Sequence, residues 1–412
     1  MGTLSLRARL ATTIAGAAGT MSRLSGRGDG SVIGGAIGLR VEPDLVRLLA
    51  AGRQIVLVTG TNGKTTTTRL ITAAIESLGR EVASNAFGAN MEAGLVSALG
   101  RDRAAPFGVL EVDERYLAAM TEATSPRVVT LLNLSRDQMD RAAEIWMVAR
   151  RWREVLAAAP DSRVVANADD PLVAWAAGAA RRVTWVAAGQ RWHEDSWCCP
   201  ECGSHLRRDD LGWRCGDCGL ARPAATWVLD DGKVVDAAGR VRQLSLALPG
   251  RANRANAVMA LAVADYFGAD MDQALPRLRE VASVAGRYTQ LELRGRRLRL
   301  LLAKNPAGWL EAFDVLAPAP APVLLAVNAN GPDGKDTSWL WDVDYRVLRG
   351  RPVIVGGERR LDLAVRLEAD QVSFELTDSI EAAVDQVPPG ILDVIANYTA
   401  FQQIRVALGR AE

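Results

Sequence analysis

The stretch "VTGTNGKTTTT" carries the residues with the most specific chemistry in the chain. Gly60 and Gly63 let backbone N–H groups approach phosphate oxygens, Lys64 offers a point charge, and the Thr65 hydroxyl can ligate Mg²⁺. Thr61, Asn62 and Thr66 complete the loop. The form is G-x-x-G-K-T, because Val58 stands where the longer phosphate-loop pattern has its first glycine. An ordinary glycine turn would require neither the lysine nor the threonine, so ATP with Mg²⁺ is the expected ligand. Glu111, in "VLEVDE", is expected to contribute a carboxylate oxygen to the same Mg²⁺, which takes oxygen ligands. Asp113 and Glu114 follow it at a strand end.

A second constellation is "CCPECGSHLRRDDLGWRCGDCGL", which holds all five cysteines of the chain. The pairs Cys199/Cys202 and Cys215/Cys218 have the spacing of a tetrahedral Zn²⁺ site. Four thiolates close the shell, so the zinc is structural. Gly203 and Gly216 are expected to turn the two knuckles, and Cys198 is read as a neighbour of the ligand Cys199. Arg207, Arg208, Arg214 and Trp213 suggest a basic-aromatic face, but Asp209, Asp210 and Asp217 interleave with them and spoil a phosphate track. Nucleic acid is therefore not expected as a partner. Paired cysteines of this kind belong to a reducing compartment, and the expected localisation is cytoplasmic.

These residues need elements to position them. "QIVLVTG" reads as a buried strand and "KTTTTRLITAAIESLG" as the helix after the loop, stopped by Gly79. "FGVLEVDE", "RVVTLLNLS" and "SRVVANADDP" read as further strands. Strands alternating with helices imply a parallel sheet covered on both faces, with ligands at the carboxyl ends of the strands. "LSLALPGRANRANAVMALAVADYFG" reads as strand, glycine turn and helix, and "LDDGKVVD" around Lys233 as a hairpin. A second α/β unit begins near Arg287, with strands in "LRLLLAK", "VLLAVNA", "PVIVGG" and "ILDVIAN". The cysteine stretch, from about 190 to 223, interrupts the first unit as an insertion.

At 412 residues the chain is too long for one ordinary core, and its 49% apolar and 24% charged content is that of a globular protein. A formal net charge of +1 sets up no bulk field toward nucleic acid or membrane. The N-terminal "LRARLATTIAGAAGTMSRL" is expected to be an amphipathic helix packed on the body, with at most peripheral contact with the inner membrane surface.

"VTGTNGKTTT", "LEVDE", "NLSRDQMDR", "NADDP" and "LPGRANRANAVMA" occur in that order and resemble the central domain of the Mur ligases, to which the folylpolyglutamate synthases are related. "AGRYTQLEL" resembles the arginine motif that opens that family's C-terminal domain, and "LLAKNPAGW" resembles its C-terminal Ala-His-Asn-Pro motif. The resemblance implies phosphorylation of a carboxylate by ATP and attack of an amine on the acyl phosphate. It implies that Asn253 and Asn256 contact the nucleotide and that Arg287, with Lys64, neutralises the transferring phosphoryl group. The implied domains are a helical segment 1–41, a central ATPase domain 42–285 with the zinc-ribbon insertion, and a Rossmann-like α/β domain 286–412.

The sequence also departs from the family pattern. Gln138, Ala252 and Lys304 stand where histidines are usual, and Leu301 where an aspartate is usual. Only about fifty residues precede the phosphate loop here, so the family's UDP-precursor domain is not expected. A short Mur core with a four-cysteine insertion and "DGKDTSWLWDVDY" resembles the family's MurT branch, synthetase subunits of lipid II isoglutaminyl synthases. That implies amidation of the D-glutamate α-carboxyl of lipid II, with ammonia from a GatD-like glutaminase in a heterodimer. A glutaminase needs a Cys/His centre, and the only histidines, His193 and His205, lie in the cysteine insertion. Asp336 is the expected aspartate that completes the partner's centre, with Asp333 and Asp342 as rivals. Two other readings compete: an amino-acid ligase of folylpolyglutamate-synthase type, and a zinc-ribbon ATPase acting on nucleic acid.

Overall fold

The computed structural model describes residues 5–24, 31–86, 89–137, 145–284 and 287–408. The chain divides into two compact units. The first comprises 1–134, 144–248 and 252–282; the second comprises 135–143, 249–251 and 283–412. The N-terminal helices belong to the first unit rather than forming one of their own.

The first unit is built on a nine-stranded sheet. Its strands in chain order are β1 (Gln54–Thr59), β2 (Val82–Ser84), β3 (Phe107–Glu111), β4 (Val128–Leu131), β5 (Arg163–Asn167) and β6 (Val183–Ala187). The ribbon supplies β7 (Leu206–Asp209) and β8 (Gly212–Cys215), and the sheet resumes with β9 (Trp227–Asp230), β10 (Lys233–Val235) and β11 (Val241–Gln243). The order across the sheet is β11-β10-β9-β6-β5-β4-β1-β3-β2. From β2 to β9 every neighbouring pair is parallel; β10 and β11 add an antiparallel extension. β1 is buried at five of its six positions and β3 and β4 at all, as expected of central parallel strands with both faces covered. The core runs through Ile55, Leu57, Leu110, Val129, Trp152 and Val164.

Most sequence expectations for elements hold, including the Lys233 hairpin, where Lys233 pairs Asp230. One does not. "LSLAL" forms no strand: Leu244 and Leu248 are buried in irregular chain, and the strand lies three residues earlier at Val241–Gln243. The partner strand runs out: Lys233 of β10 pairs with Gln243, and the residues before it, Asp231 (φ +41°) and Gly232 (φ +73°), form the turn of the hairpin.

The second unit has a six-stranded sheet of β12 (Tyr288–Leu293), β13 (Arg296–Leu302), β14 (Val323–Ala326), β15 (Val353–Gly356), β16 (Glu375–Leu376) and β17 (Gly390–Ala396). Its order is β12-β13-β17-β14-β15-β16, parallel except for the antiparallel edge strand β12. Leu298, Leu324, Val394 and Phe401 centre its core.

Candidate functional site

The loop between β1 and the helix Lys64–Glu76 is held from below by the end of β4. Thr61 N–H donates to the Asn133 carbonyl at 2.9 Å. The Asn133 amide brackets Asn62, accepting its N–H at 2.9 Å and donating to its carbonyl at 3.0 Å. The loop is thus fixed in part through its own backbone groups. Gly63 sits at φ +85°, in the left-handed region that glycine tolerates. A Cβ there would lie 2.8 Å from Asn256 Oδ1, so the Asn256 amide packs directly on the loop. Asn253 lies one turn earlier on the same helix, Arg251–Tyr266.

Lys64 is buried. Its ammonium donates to the Gly60 carbonyl at 2.5 Å and to Glu114 Oε2 at 3.1 Å. Glu114 is placed by Trp152, whose indole N–H donates to the Glu114 carbonyl at 2.8 Å. Thr65 and Glu111 form the second half of the site. Thr65 Oγ1 donates to Glu111 Oε2 at 2.7 Å, and both residues are buried. The backbone of Glu111 is clamped by Asn85, which accepts from its N–H at 2.7 Å and donates to its carbonyl at 2.8 Å. The other oxygen, Oε1, is buried with no hydrogen-bond partner. A buried, unpartnered carboxylate oxygen is costly unless a cation meets it, so a threonine hydroxyl beside this carboxylate fits Mg²⁺.

The cysteine cluster forms as the spacing predicts. Cys199, Cys202, Cys215 and Cys218 bring their sulfurs within 4.8 Å of one another. The Cys199–Cys218 and Cys202–Cys215 separations are 3.6 and 3.5 Å, close to the roughly 3.8 Å edge of a tetrahedron with Zn–S bonds of about 2.3 Å. Backbone N–H groups of Glu201 and Cys202 point at Cys199, that of Ser204 at Cys202, and that of Leu220 at Cys218. Burial pushes the Cys199 thiol up. Two expectations are sharpened. Cys199 and not Cys198 belongs to the cluster. The turning glycine of the second knuckle is Gly219 (φ +76°), not Gly216, matching Gly203 (φ +79°) in the first. In both knuckles it is the residue after the second cysteine that must reverse the chain.

The ribbon docks on β5. Trp213 Nε1 donates to the Ala168 carbonyl at 3.0 Å, and Arg222 pairs with Asp169 at 2.7 Å. Trp213, Leu206 and Ala174 pack together with Cys199 and Cys215. Asp170, wholly buried, caps the helix Pro171–Ala177 and also accepts from Leu134 N–H at 2.9 Å. The "NADDP" stretch therefore fastens the ribbon, a helix and the end of β4 at one point.

In the second unit, Arg287 precedes β12 and its carbonyl accepts from Leu302 N–H. Lys304 forms an ion pair with Asp137. Gln138 lies outside the described residues. The three C-terminal aspartates differ sharply. Asp333 accepts from both the N–H and the hydroxyl of Thr399, at the start of the helix Tyr398–Leu408. Asp342 pairs with Arg136 at 3.4 Å. Asp336 accepts from Ser338 N–H at 2.8 Å, which holds its carboxyl below the usual range. The next residue, Thr337, accepts from Arg359 at 3.4 Å, and exposed apolar side chains that sequence reading did not find follow on both segments: Trp341 is 60% exposed, Leu361 64% and Val365 56%. Leu361 and Val365 are one turn apart on the helix Arg360–Ala369, and Arg366 of that helix lies over the Trp341 ring.

Sequence reading also missed Asn85 and Asn133. Asn133 stood at a strand end, where polar residues signal a site; Asn85 had no such signal, since its partner Glu111 is 26 residues away.

Comparisons with known proteins agree with this architecture. The Mur ligase middle-domain model matches residues 58–264, and the MurT ligase C-terminal model matches 302–401. The chain is 29% identical to the Streptococcus pneumoniae lipid II isoglutaminyl synthase (glutamine-hydrolyzing) subunit MurT, over 97% of each chain. It is 28% identical to the Staphylococcus aureus (strain COL) subunit of that name, over 93% of each. Among solved structures, a pseudomurein peptide ligase type C from Methanothermus fervidus superposes with a TM-score of 0.71 at 17% identity, covering 87% of this chain and 79% of that one. A MurF ligase from Thermotoga maritima, solved in complex with ADP, gives 0.65 at 17% identity, covering 91% and 84%. With one family model covering half of its length and motifs in the family's order, the chain belongs to the Mur ligase family.

Proposed function

We propose that this chain is the ATP-dependent synthetase subunit of a lipid II isoglutaminyl synthase. The observation that carries the reading is the buried Thr65–Glu111 pair beside Lys64, on a phosphate loop whose family relatives of nearly the same length are MurT subunits. In the proposed reaction, the D-glutamate α-carboxylate of the lipid II stem peptide takes the terminal phosphoryl group of ATP, giving an acyl phosphate and ADP. Ammonia then displaces phosphate, leaving an amide.

The chain's own residues divide the work. The loop N–H groups and the N-terminus of the helix Lys64–Glu76 face the phosphates. Lys64 is poised to leave Glu114 for a phosphate oxygen. Thr65 and Glu111 would hold Mg²⁺, which screens charge on the phosphates. Asn256 shapes the loop under the nucleotide, with Asn253 beside it. Arg287 keeps the role that the resemblance implies, a second positive charge for the phosphoryl group. Zinc would fold the ribbon and take no part in the reaction.

Ammonia is assigned to a GatD-like glutaminase. No histidine lies outside the ribbon, so the chain lacks a Cys/His centre of its own. The exposed Trp341, Leu361 and Val365 give such a partner an apolar seat, and Asp336 the carboxylate least committed to the fold. Cytoplasmic action is part of the same reading.

The test is product mass spectrometry with Mg-ATP, lipid II and concentrated ammonium, with Lys64→Ala as control. Conversion of one carboxyl to an amide supports the reading. An added amino acid would move the chain to the ligase alternative. No product, even with the glutaminase partner and glutamine supplied, would sink it.

A further inference from the structure

The two N-terminal helices are built inside out. On Leu6–Leu24 the inward side carries Ala8, Ala11, Ala15 and Gly19, all buried. The large apolar residues face the other way: Leu6 is 84% exposed, Leu10 56% and Met21 71%. At 100° per residue, Leu6, Leu10, Thr13, Ala17 and Met21 fall on one outward arc, opposite the alanines. The neighbouring helix Ser31–Val41 repeats this, leaving Val32, Ile33 and Ala36 exposed and burying Gly34, Gly35 and Gly38.

Small residues inside have a steric cause. A Cβ on Gly34 would lie 2.4 Å from the Ala15 carbonyl oxygen, so the two backbones touch. Close approach of this kind is how helices associate where the hydrophobic effect between them is weak, through backbone contact and dispersion. A water-facing surface helix does the reverse, with large apolar residues inward. The helices also carry no Asp or Glu, while Arg9 and Arg40 are exposed on them. Among the described residues, no helix is long and apolar enough to cross a membrane.

We propose that this helical pair is a docking surface for the face of an anionic phospholipid bilayer. The helix Leu6–Leu24, roughly 28 Å long, would lie in the interface plane. Leu6, Leu10 and Met21 would enter the acyl boundary, and Arg9 and Arg40 would meet headgroup phosphates. Charge complementarity selects the lipid: an arginine-bearing, acid-free apolar face suits anionic headgroups better than neutral ones. The inference does not depend on the reaction proposed above, and its test reads binding alone.

The full chain would be floated with vesicles of phosphatidylglycerol and phosphatidylcholine, and with phosphatidylcholine alone. Wild type is expected to float with the anionic vesicles and to be released by salt. Leu10→Gln with Met21→Gln should lower the partition coefficient about tenfold or more. Arg9→Gln with Arg40→Gln should abolish the preference for anionic lipid. Leu361→Gln with Val365→Gln, at exposed apolar positions outside these helices, should leave flotation unchanged. Hydrogen exchange of wild type, needing no substitution, should show residues 6–24 protected when vesicles are added. Absence of flotation, binding equal in the Leu10/Met21 variant, or a soluble dimer that this variant dissolves would each overturn the proposal.

Discussion

Thr65 Oγ1 and Glu111 Oε2 stand 2.7 Å apart in a buried pocket, and the second oxygen of the same carboxylate has no partner. A carboxylate that served the fold alone would use both oxygens, whereas Glu111 has Oε1 buried with no hydrogen-bond partner. Glu111→Gln keeps the shape and removes the charge. It should raise the Mg²⁺ concentration required for half-maximal ATP turnover and lower kcat about a hundredfold. Thr65→Val should do the same to a lesser degree. A Mg²⁺ titration of ATP hydrolysis checks both, and an unchanged Mg²⁺ requirement in Glu111→Gln would remove this carboxylate from the site.

Gly63 tests the loop in a different way. Its φ of +85° and the 2.8 Å approach to Asn256 Oδ1 penalise a side chain twice. Gly63→Ala should abolish ATP binding measured by calorimetry. In Gly63→Ala with Asn256→Ala the collision is relieved but the backbone strain of about 1 kcal/mol persists. The double variant should therefore recover part of the lost affinity and no more. Full recovery would mean that the left-handed turn is dispensable.

Removing zinc should be felt beyond the ribbon. Trp213 and Arg222 hold the end of β5, so an unfolded ribbon would strip both contacts from Ala168 and Asp169. The protein is expected to carry one zinc per chain. Cys215→Ser should lose the metal and lower the thermal midpoint, while Cys198→Ser should retain both. Metal content by mass spectrometry and calorimetric melting give the answer; zinc loss in Cys198→Ser would reassign the ligand.

Asp170 offers a pH dependence. Burial raises its carboxyl to about 6, against the pull of the Leu134, Val173 and Leu172 N–H groups and of the Gln190 amide. The unfolded value is near 3.9, so between about pH 4 and 6 the native state holds a proton that the unfolded state has released. The stabilising contribution is complete below pH 4 and is lost as pH rises through 6, on the order of 3 kcal/mol at most. The stability gap between wild type and Asp170→Asn in urea should shrink across that window. A gap that widens with pH would mean that the four donors outweigh burial.

How far the sequence speaks depends on the range of the interaction. The central strands β1, β3, β4 and β5 and the later β13, β14, β15 and β17 were legible because short apolar runs end at glycine or polar residues, and the zinc ligands because thiolate spacing is a local property; edge strands such as β2, β12 and β16 carried no such signal. Asn85 and Asn133 were not, because each acts on residues brought beside it only by the sheet. Leu244–Leu248 has the composition of a strand, but β10 was already paired to Val241–Gln243. The N-terminal helices carry the subtlest lesson. The sequence of the first reads as amphipathic, and only the fold reveals that its alanines are the inner face and Leu6 and Leu10 the outer.

Asp336 separates the two halves of the proposed enzyme. Asp333 is tied to Thr399 and Asp342 to Arg136, so of the three only Asp336 is held by nothing beyond its own turn. If it orients an imidazole in the partner, Asp336→Asn should cut glutamine-driven amidation in the two-chain complex by a hundredfold or more, about the scale on which such an aspartate acts in hydrolytic triads. With ammonium supplied directly, the same variant should amidate at the wild-type rate, since the carboxylate has no part in phosphoryl transfer. Asp342→Asn should leave both rates within about threefold. Parallel loss of the ammonium-driven rate would place Asp336 in the fold or the synthetase site instead, and an unaffected glutamine-driven rate would take it out of the partner's centre.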